Sequence, residues 1–274
     1  MEQKKFNNKG QAIYFSHGGG PLPLLHDPSH DKMVEFMKKL SSNISRPDSI
    51  IVFSAHWEEP VVTIQSSDEP ELIYDYYGFP EEAYAIEYPC KGNPGLAKKI
   101  ANLLKAAQIE CVIDDQRPYD HGSYIPLKLM YPEADIPVLQ VSLNIDLDAL
   151  THLKIGKALD PLMDENVLII GSGFSFHNMR EYDFSGRNLE DPKNNVFQER
   201  LIELCCDEKD EAKKWEQGAD WENFPEARYC HPREEHLIPL FVCLGVSQNV
   251  GTKIFDDYIA GKRATAFYWG VELN

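Results

Sequence analysis

Nine histidines are spread along this 274-residue chain, and several stand where apolar runs stop. His17 follows the run at 12–15, His56 follows the run at 49–55, and His177 follows the run at 167–171. His121 occupies a Gly-flanked stretch, Asp120-His121-Gly122-Ser123, just ahead of a short apolar segment. Imidazole is the commonest metal ligand among side chains and titrates near neutral pH. A lone loop histidine is ordinarily structural. Several delivered to one rim point instead to a single shared site, with metal binding as its natural chemistry. The Gly-rich stretch His17-Gly18-Gly19-Gly20 also fits an esterase oxyanion-hole loop. That chemistry needs a Gly-x-Ser-x-Gly elbow, which the chain lacks, and Gly171-Ser172-Gly173 has the wrong spacing.

Elements that would carry these residues can be read from periodicity. The run at 49–55 is continuously apolar and β-branched, as expected of a strand buried on both faces. Similar runs at 12–15, 137–143 and 167–171 predict further strands, with shorter ones at 61–64, 109–113 and 265–268. Met33, Phe36, Met37 and Leu40 recur at helical spacing, and helices are also expected over 95–107, 150–163 and 237–244, where Pro239 marks a kink or a start. Strands alternating with helices predict a single three-layer α/β/α domain with a central mixed β-sheet. In such sheets ligands bind beyond the strand carboxyl ends, which is where the histidines fall. The domain is expected over 12–274, preceded by a polar N-terminal segment, 1–11. The charged stretch 181–228 reads as a polar helical cap or insertion.

The formal charge is −17, so the far field repels polyanions and argues against nucleic-acid or anionic-membrane partners. Hydrophobic residues make up 43% of the chain, enough for a sizeable core, yet no apolar run approaches the roughly 20 residues of a membrane span. Residues 1–11 carry no apolar signal region. The six cysteines show no framework spacing and read as free thiols, which fits a cytoplasmic location.

Short motifs in a fixed order then carry a resemblance. Ser16-His17-Gly18, Ser54-Ala55-His56-Trp57, Tyr77-Gly78-Phe79-Pro80, Tyr119-Asp120-His121-Gly122-Ser123, His177-Asn178 and Glu235-His236 resemble the class III extradiol ring-cleavage dioxygenases, in the branch of the 4,5-DOPA extradiol enzymes. The resemblance implies metal ligands at His17 and His56, further metal-site histidines at His177 and His236, and an acid–base role for His121. It also implies ferrous iron, dioxygen and a small catechol as substrate. His231, five residues before His236, is left out. The sequence departs from the branch at Gly19-Gly20-Pro21 and at Arg233-Glu234.

Extradiol cleavage needs a metal with adjacent open positions, ordinarily held by two histidines and a carboxylate. His177 in place of that carboxylate, with His236 at or near the metal, raises the site's net charge by one and makes zinc binding in the purified protein a natural expectation. His121 is the expected base for the catechol protons, with Asp120 either orienting its ring or capping the following helix. The aromatic residues Tyr76, Tyr77, Phe79, Tyr84 and Tyr88 are read as packing over a sheet edge, in preference to lining a pocket for a flat ring. Two other functions fit the same residues: a zinc hydrolase that activates water, and a non-catalytic metal-binding relative.

Overall fold

The computed structural model describes residues 9–185, 187–188, 190–247 and 249–270. Eight strands form one sheet: β1 (Gln11–Ser16), β2 (Ser49–Glu59), β3 (Val62–Gln65), β4 (Cys111–Asp114), β5 (Val138–Asn144), β6 (Val167–Gly173), β7 (Thr252–Ile259) and β8 (Lys262–Trp269). Their spatial order is β4-β3-β5-β2-β6-β1-β8-β7. β5, β2, β6 and β1 run parallel, whereas β8 pairs antiparallel with both β1 and β7, so the sheet is mixed.

Alternation along the central strands divides the core in two. Ala12, Tyr14, Ile51, Phe53 and Ile169 face one cluster; Ile13, Phe15, Ile50, Val52 and Ile170 face the other. The first face is covered by α2 (Pro94–Ala106), α4 (Ala149–Ala158) and α8 (Ile238–Val246), the second by α1 (Asp31–Asn43) and α3 (His121–Met130). Two covered faces explain why these strands read as unbroken apolar runs. The architecture is the expected three-layer α/β/α domain, and Pro239 lies in the first turn of α8, where its missing N–H costs nothing.

Several details differ from the sequence reading. β2 does not stop at Ala55; it runs on to Glu59, with its pairing to β5 interrupted between Phe53 and Glu58. β7 is hidden in the sequence because it is an edge strand whose exposed Lys253 and Asp256 interrupt half-buried positions and obscure the period of two. Of the polar segment expected over 1–11, residues 1–8 lie outside the described residues, while Gln11 already belongs to β1 and is bonded by its side chain to the Ser45 carbonyl. Within 181–228 run α5 (Pro192–Ile202) and α6 (Glu211–Ala219), and α7 (Ala227–Cys230) begins at its end. Phe197, Leu201 and Leu204, at helical spacing, are fully buried in the first core cluster. Burial of each such side chain is worth about 1.5–3 kcal/mol, so this segment helps to build a helical layer. All six cysteines are free.

Candidate metal centre

β1, β6 and β2 are parallel neighbours, so their carboxyl ends share one rim. His17 follows β1 directly, and Gly18 then turns with φ +87°, a conformation that glycine adopts freely. His56 sits in the irregular stretch of β2; such interruptions bend a strand and re-aim its side chains. His236 is fixed by its carbonyl, which accepts hydrogen bonds from the Tyr14 hydroxyl and the Phe174 N–H, each at 2.9 Å. Gly173 permits that approach, because a Cβ there would collide with the His236 carbonyl. His177, four residues beyond β6, is anchored by its own N–H on the Cys230 carbonyl.

The ligand atoms of His17, His56 and His236 lie within 4.8 Å of one another, and His17 Nε2 and His56 Nε2 are 3.0 Å apart. His177 belongs to a second group with Glu235 and His236, its ring stacked on that of His236 at 3.5 Å between centroids. His121 belongs to a third, with His56 and Asp75. The rim thus gathers all five histidines singled out in the sequence. His231 stands apart, buried against Phe197 and Trp221 with Nε2 on the Ser175 carbonyl.

Hydrogen-bond accounting fixes the tautomers. The Ser172 hydroxyl donates to the Gly122 carbonyl, so it can only accept from His17 Nδ1, 2.9 Å away. Glu235 Oε1 accepts from Nδ1 of His177 and from Nδ1 of His236, each at 3.0 Å. Asp75 Oδ1 accepts from His121 Nδ1 at 2.8 Å and from the His121 N–H at 3.1 Å. All four imidazoles spend their proton on Nδ1 and keep Nε2 bare. An outward N–H on an acceptor is the usual dress of a metal-ligating or base histidine.

Burial is the first cause holding His17 and His56 well below the ordinary histidine range, with the neighbouring imidazoles adding to it. His236 is pushed down to about 3 by burial and His177, against the pull of Glu235. Burial works to raise Glu235 and Asp75, yet hydrogen bonds from their histidines hold both below the usual carboxylate range. His17, His56 and His236 are therefore neutral nitrogen donors, with ionised carboxylates beside them.

Neither role expected for Asp120 holds. Its carboxylate takes the Ser54 hydroxyl, the Gln140 amide and Arg117, and it makes no side-chain cap on α3, which begins at His121 itself. The residue that orients His121 is Asp75. It and Glu235 were invisible as orienters among 44 acidic residues, although Glu235 adjoins a singled-out histidine.

The histidines floor a cavity of about 300 Å³. Tyr76, Tyr77 and Phe79 line it, which overturns the reading that they merely pack over the sheet edge. Tyr88 does lie in the core, and Tyr84 packs on Tyr74 and Tyr76. The volume sits at the lower end of the range usual for small-molecule sites.

Residues 11–268 match the catalytic LigB subunit of aromatic ring-opening dioxygenases. The chain belongs to this family. It is accordingly a dioxygenase, an oxidoreductase of the ring-cleaving class. Among its relatives is Dioxygenase tasH of Hapsidospora irregularis, 38% identical over 94% of this chain and 85% of that one. A 4,5-DOPA dioxygenase extradiol of Mirabilis jalapa is 35% identical over 86% of each chain. The crystal structure of an uncharacterized Escherichia coli K12 protein superposes with a TM-score of 0.77 at 26% identity, covering 95% of this chain and 99% of that one.

The site suits the metal that LigB-family chemistry requires. Three ring nitrogens converge from separate elements, and the outward N–H groups of two of the rings, His17 and His236, are matched by Ser172 and Glu235. Two of those nitrogens, His17 Nε2 and His56 Nε2, lie 3.0 Å apart, close enough to share one cation. Among the described residues, no helix is long and apolar enough to cross a membrane.

Proposed function

We propose that this chain is a ferrous-iron extradiol dioxygenase that inserts both atoms of O2 into a small catechol and opens its ring. The supporting observation is the convergence of bare imidazole nitrogens on the floor of an aromatic-walled cavity. Relatives bearing the name 4,5-DOPA dioxygenase extradiol support a catechol as substrate.

His17, His56 and His236 would hold the iron, with His177 stacked against His236 and sharing Glu235. When bound, the metal supplies adjacent positions for the two phenolic oxygens and dioxygen. His121 Nε2 accepts the catechol proton, while Asp75 holds the opposite ring nitrogen and stabilises the imidazolium that forms. The same nitrogen returns the proton later in the cycle. Tyr76 and Phe79 flank the cavity and exclude water from the ring.

Anaerobic reconstitution with ferrous iron, followed by a catechol panel read with an oxygen electrode, tests this reading. Stoichiometric O2 uptake with a ring-opened product is expected. Metal-replete protein that consumes no O2 with any catechol overturns it, and hydrolysis by zinc-loaded protein would put a hydrolase in its place.

A further inference from the structure

We infer that the substrate is a catechol bearing an uncharged, apolar substituent in preference to one bearing a carboxylate, a conclusion that rests on the catechol reading of the site. Above the histidine floor the cavity walls are Tyr76, Tyr77, Phe79, Phe174, Met179 and Phe184. Among the described residues no lysine or arginine lines it.

Three nearby cations are already committed, and Arg180, next to Met179, is exposed and outside the cavity lining. Arg117 is bonded to Asp120 and lies over the Trp57 ring. Arg233 is paired with Glu58 and Glu235, and the buried Lys262 with Asp191. A substrate carboxylate here would lose water and gain no counter-charge, which is costly in an apolar cavity. Among the described residues the one carboxylate in the wall is Asp75, whose negative charge adds repulsion. Its Oδ1 accepts two hydrogen bonds from His121 and its Oδ2 lies 4.0 Å from His56 Nδ1, so both oxygens are engaged with imidazoles of the floor.

The mouth gives independent support. Tyr77 is 92% exposed, Met179 62% and Phe184 42%, and all three are continuous with the cavity wall. Large apolar side chains gathered at one opening mark a surface awaiting cover. An alkyl or aryl group on the catechol ring, projecting outward from the histidine floor, would cover it.

Zinc-loaded protein gives a binding readout free of turnover. Calorimetric titration under nitrogen would compare 4-butylcatechol, 3-(3,4-dihydroxyphenyl)propanoate, L-DOPA and dopamine. Butylcatechol should bind at least about tenfold more tightly than the carboxylates and dopamine. Lengthening the chain from propyl to pentyl should tighten binding by up to about fourfold per methylene. Met179→Lys should narrow the gap between alkyl and carboxylate ligands. Arg180→Ala should leave it unchanged, because Arg180 is exposed and does not line the cavity.

Equal or tighter binding of the carboxylates or of dopamine overturns the inference, as does a carboxylate preference that vanishes in Arg180→Ala. Alkyl preference in the zinc form, with no O2 uptake in the iron form, would instead overturn the proposed reaction and leave the ligand preference standing. Protein that holds zinc and binds no catechol would overturn both.

Discussion

The floor and the upper wall of the cavity are built on different principles. On the floor, each imidazole but one has its outer nitrogen fixed by a named acceptor: Ser172 for His17, Glu235 for His177 and His236, Asp75 for His121. His56 differs, with Nδ1 no closer than 4.0 Å to Asp75. The upper wall holds its place by ring contacts, such as Tyr76 edge-on to Phe79 at 5.5 Å, and by a few tyrosine hydroxyls. Directional bonds fix where a reacting atom sits, whereas apolar contacts tolerate a change of shape. Changes on the floor should therefore strike metal and turnover, and changes in the wall should strike substrate affinity.

The largest effects belong to the ligand triplet. His17→Ala and His56→Ala should abolish metal binding, read as metal content after dialysis, and His236→Ala should do nearly as much. His177→Ala should retain most of the metal, because His177 is outside that triplet. Full metal content in a triplet variant would remove its residue from the ligand set. Loss of metal in His177→Ala would bring that residue in.

Next comes His121, which would divide catalysis from binding on the floor itself. His121→Ala and His121→Phe should keep the metal and bind catechol anaerobically, while kcat falls about 10²–10⁴-fold, the usual contribution of an acid–base group. Turnover within a few-fold of the parent protein in both variants would make His121 structural.

The same contrast governs what was legible in the sequence. Strands buried on both faces announce themselves, because every position must be apolar; β2 and β6 are the plain cases. Histidines at their ends stand out against that background, so His17, His56 and His177 could be picked from the runs alone, whereas His236 came only from the family resemblance. Asp75 lies 46 positions from the imidazole it orients, and no local pattern encodes that meeting. Which of His177 and His236 stands nearer to His17 and His56 was equally hidden, since it depends on two rings stacking across different loops. In 181–228 the polar composition masked Phe197, Leu201 and Leu204, although their spacing was readable as a buried helical stripe. The wall aromatics were seen but not placed, because burial over a sheet and lining a cavity require the same residue types.

A smaller effect is expected at Glu235, behind the floor. Glu235→Leu removes a carboxylate that serves two imidazoles at once and leaves no acceptor for either Nδ1 proton. Metal affinity should drop about 10–100-fold, the usual consequence of losing an orienting partner. Competition against a chelator of known affinity would measure it. An unchanged affinity would show that the stacked rings orient one another without the carboxylate.

The smallest effect is assigned to the wall, at Tyr76. Its hydroxyl donates to the Ala83 carbonyl at 2.6 Å and accepts from the Tyr124 hydroxyl at 3.0 Å. Its ring, meanwhile, lies against Phe79 and edge-on to His121. Tyr76→Phe keeps the ring and deletes both hydrogen bonds, so it separates the wall's shape from its tethering. Each deleted bond is worth about 0.5–1.5 kcal/mol, with a further cost if the Tyr124 hydroxyl is left without a partner. The expected loss of stability is about 1–3 kcal/mol, measured by urea unfolding of metal-replete protein. Metal content should not change, and kcat should stay within about threefold, because no floor nitrogen loses its acceptor and the loss of tethering is felt first in ring affinity. KM for an alkylcatechol should rise modestly as the loop that carries Tyr77 and Phe79 loosens. A collapse of kcat with KM unchanged would mean that the Tyr76 hydroxyl takes part in the reaction, and the division between a directional floor and a tolerant wall would fail at that residue.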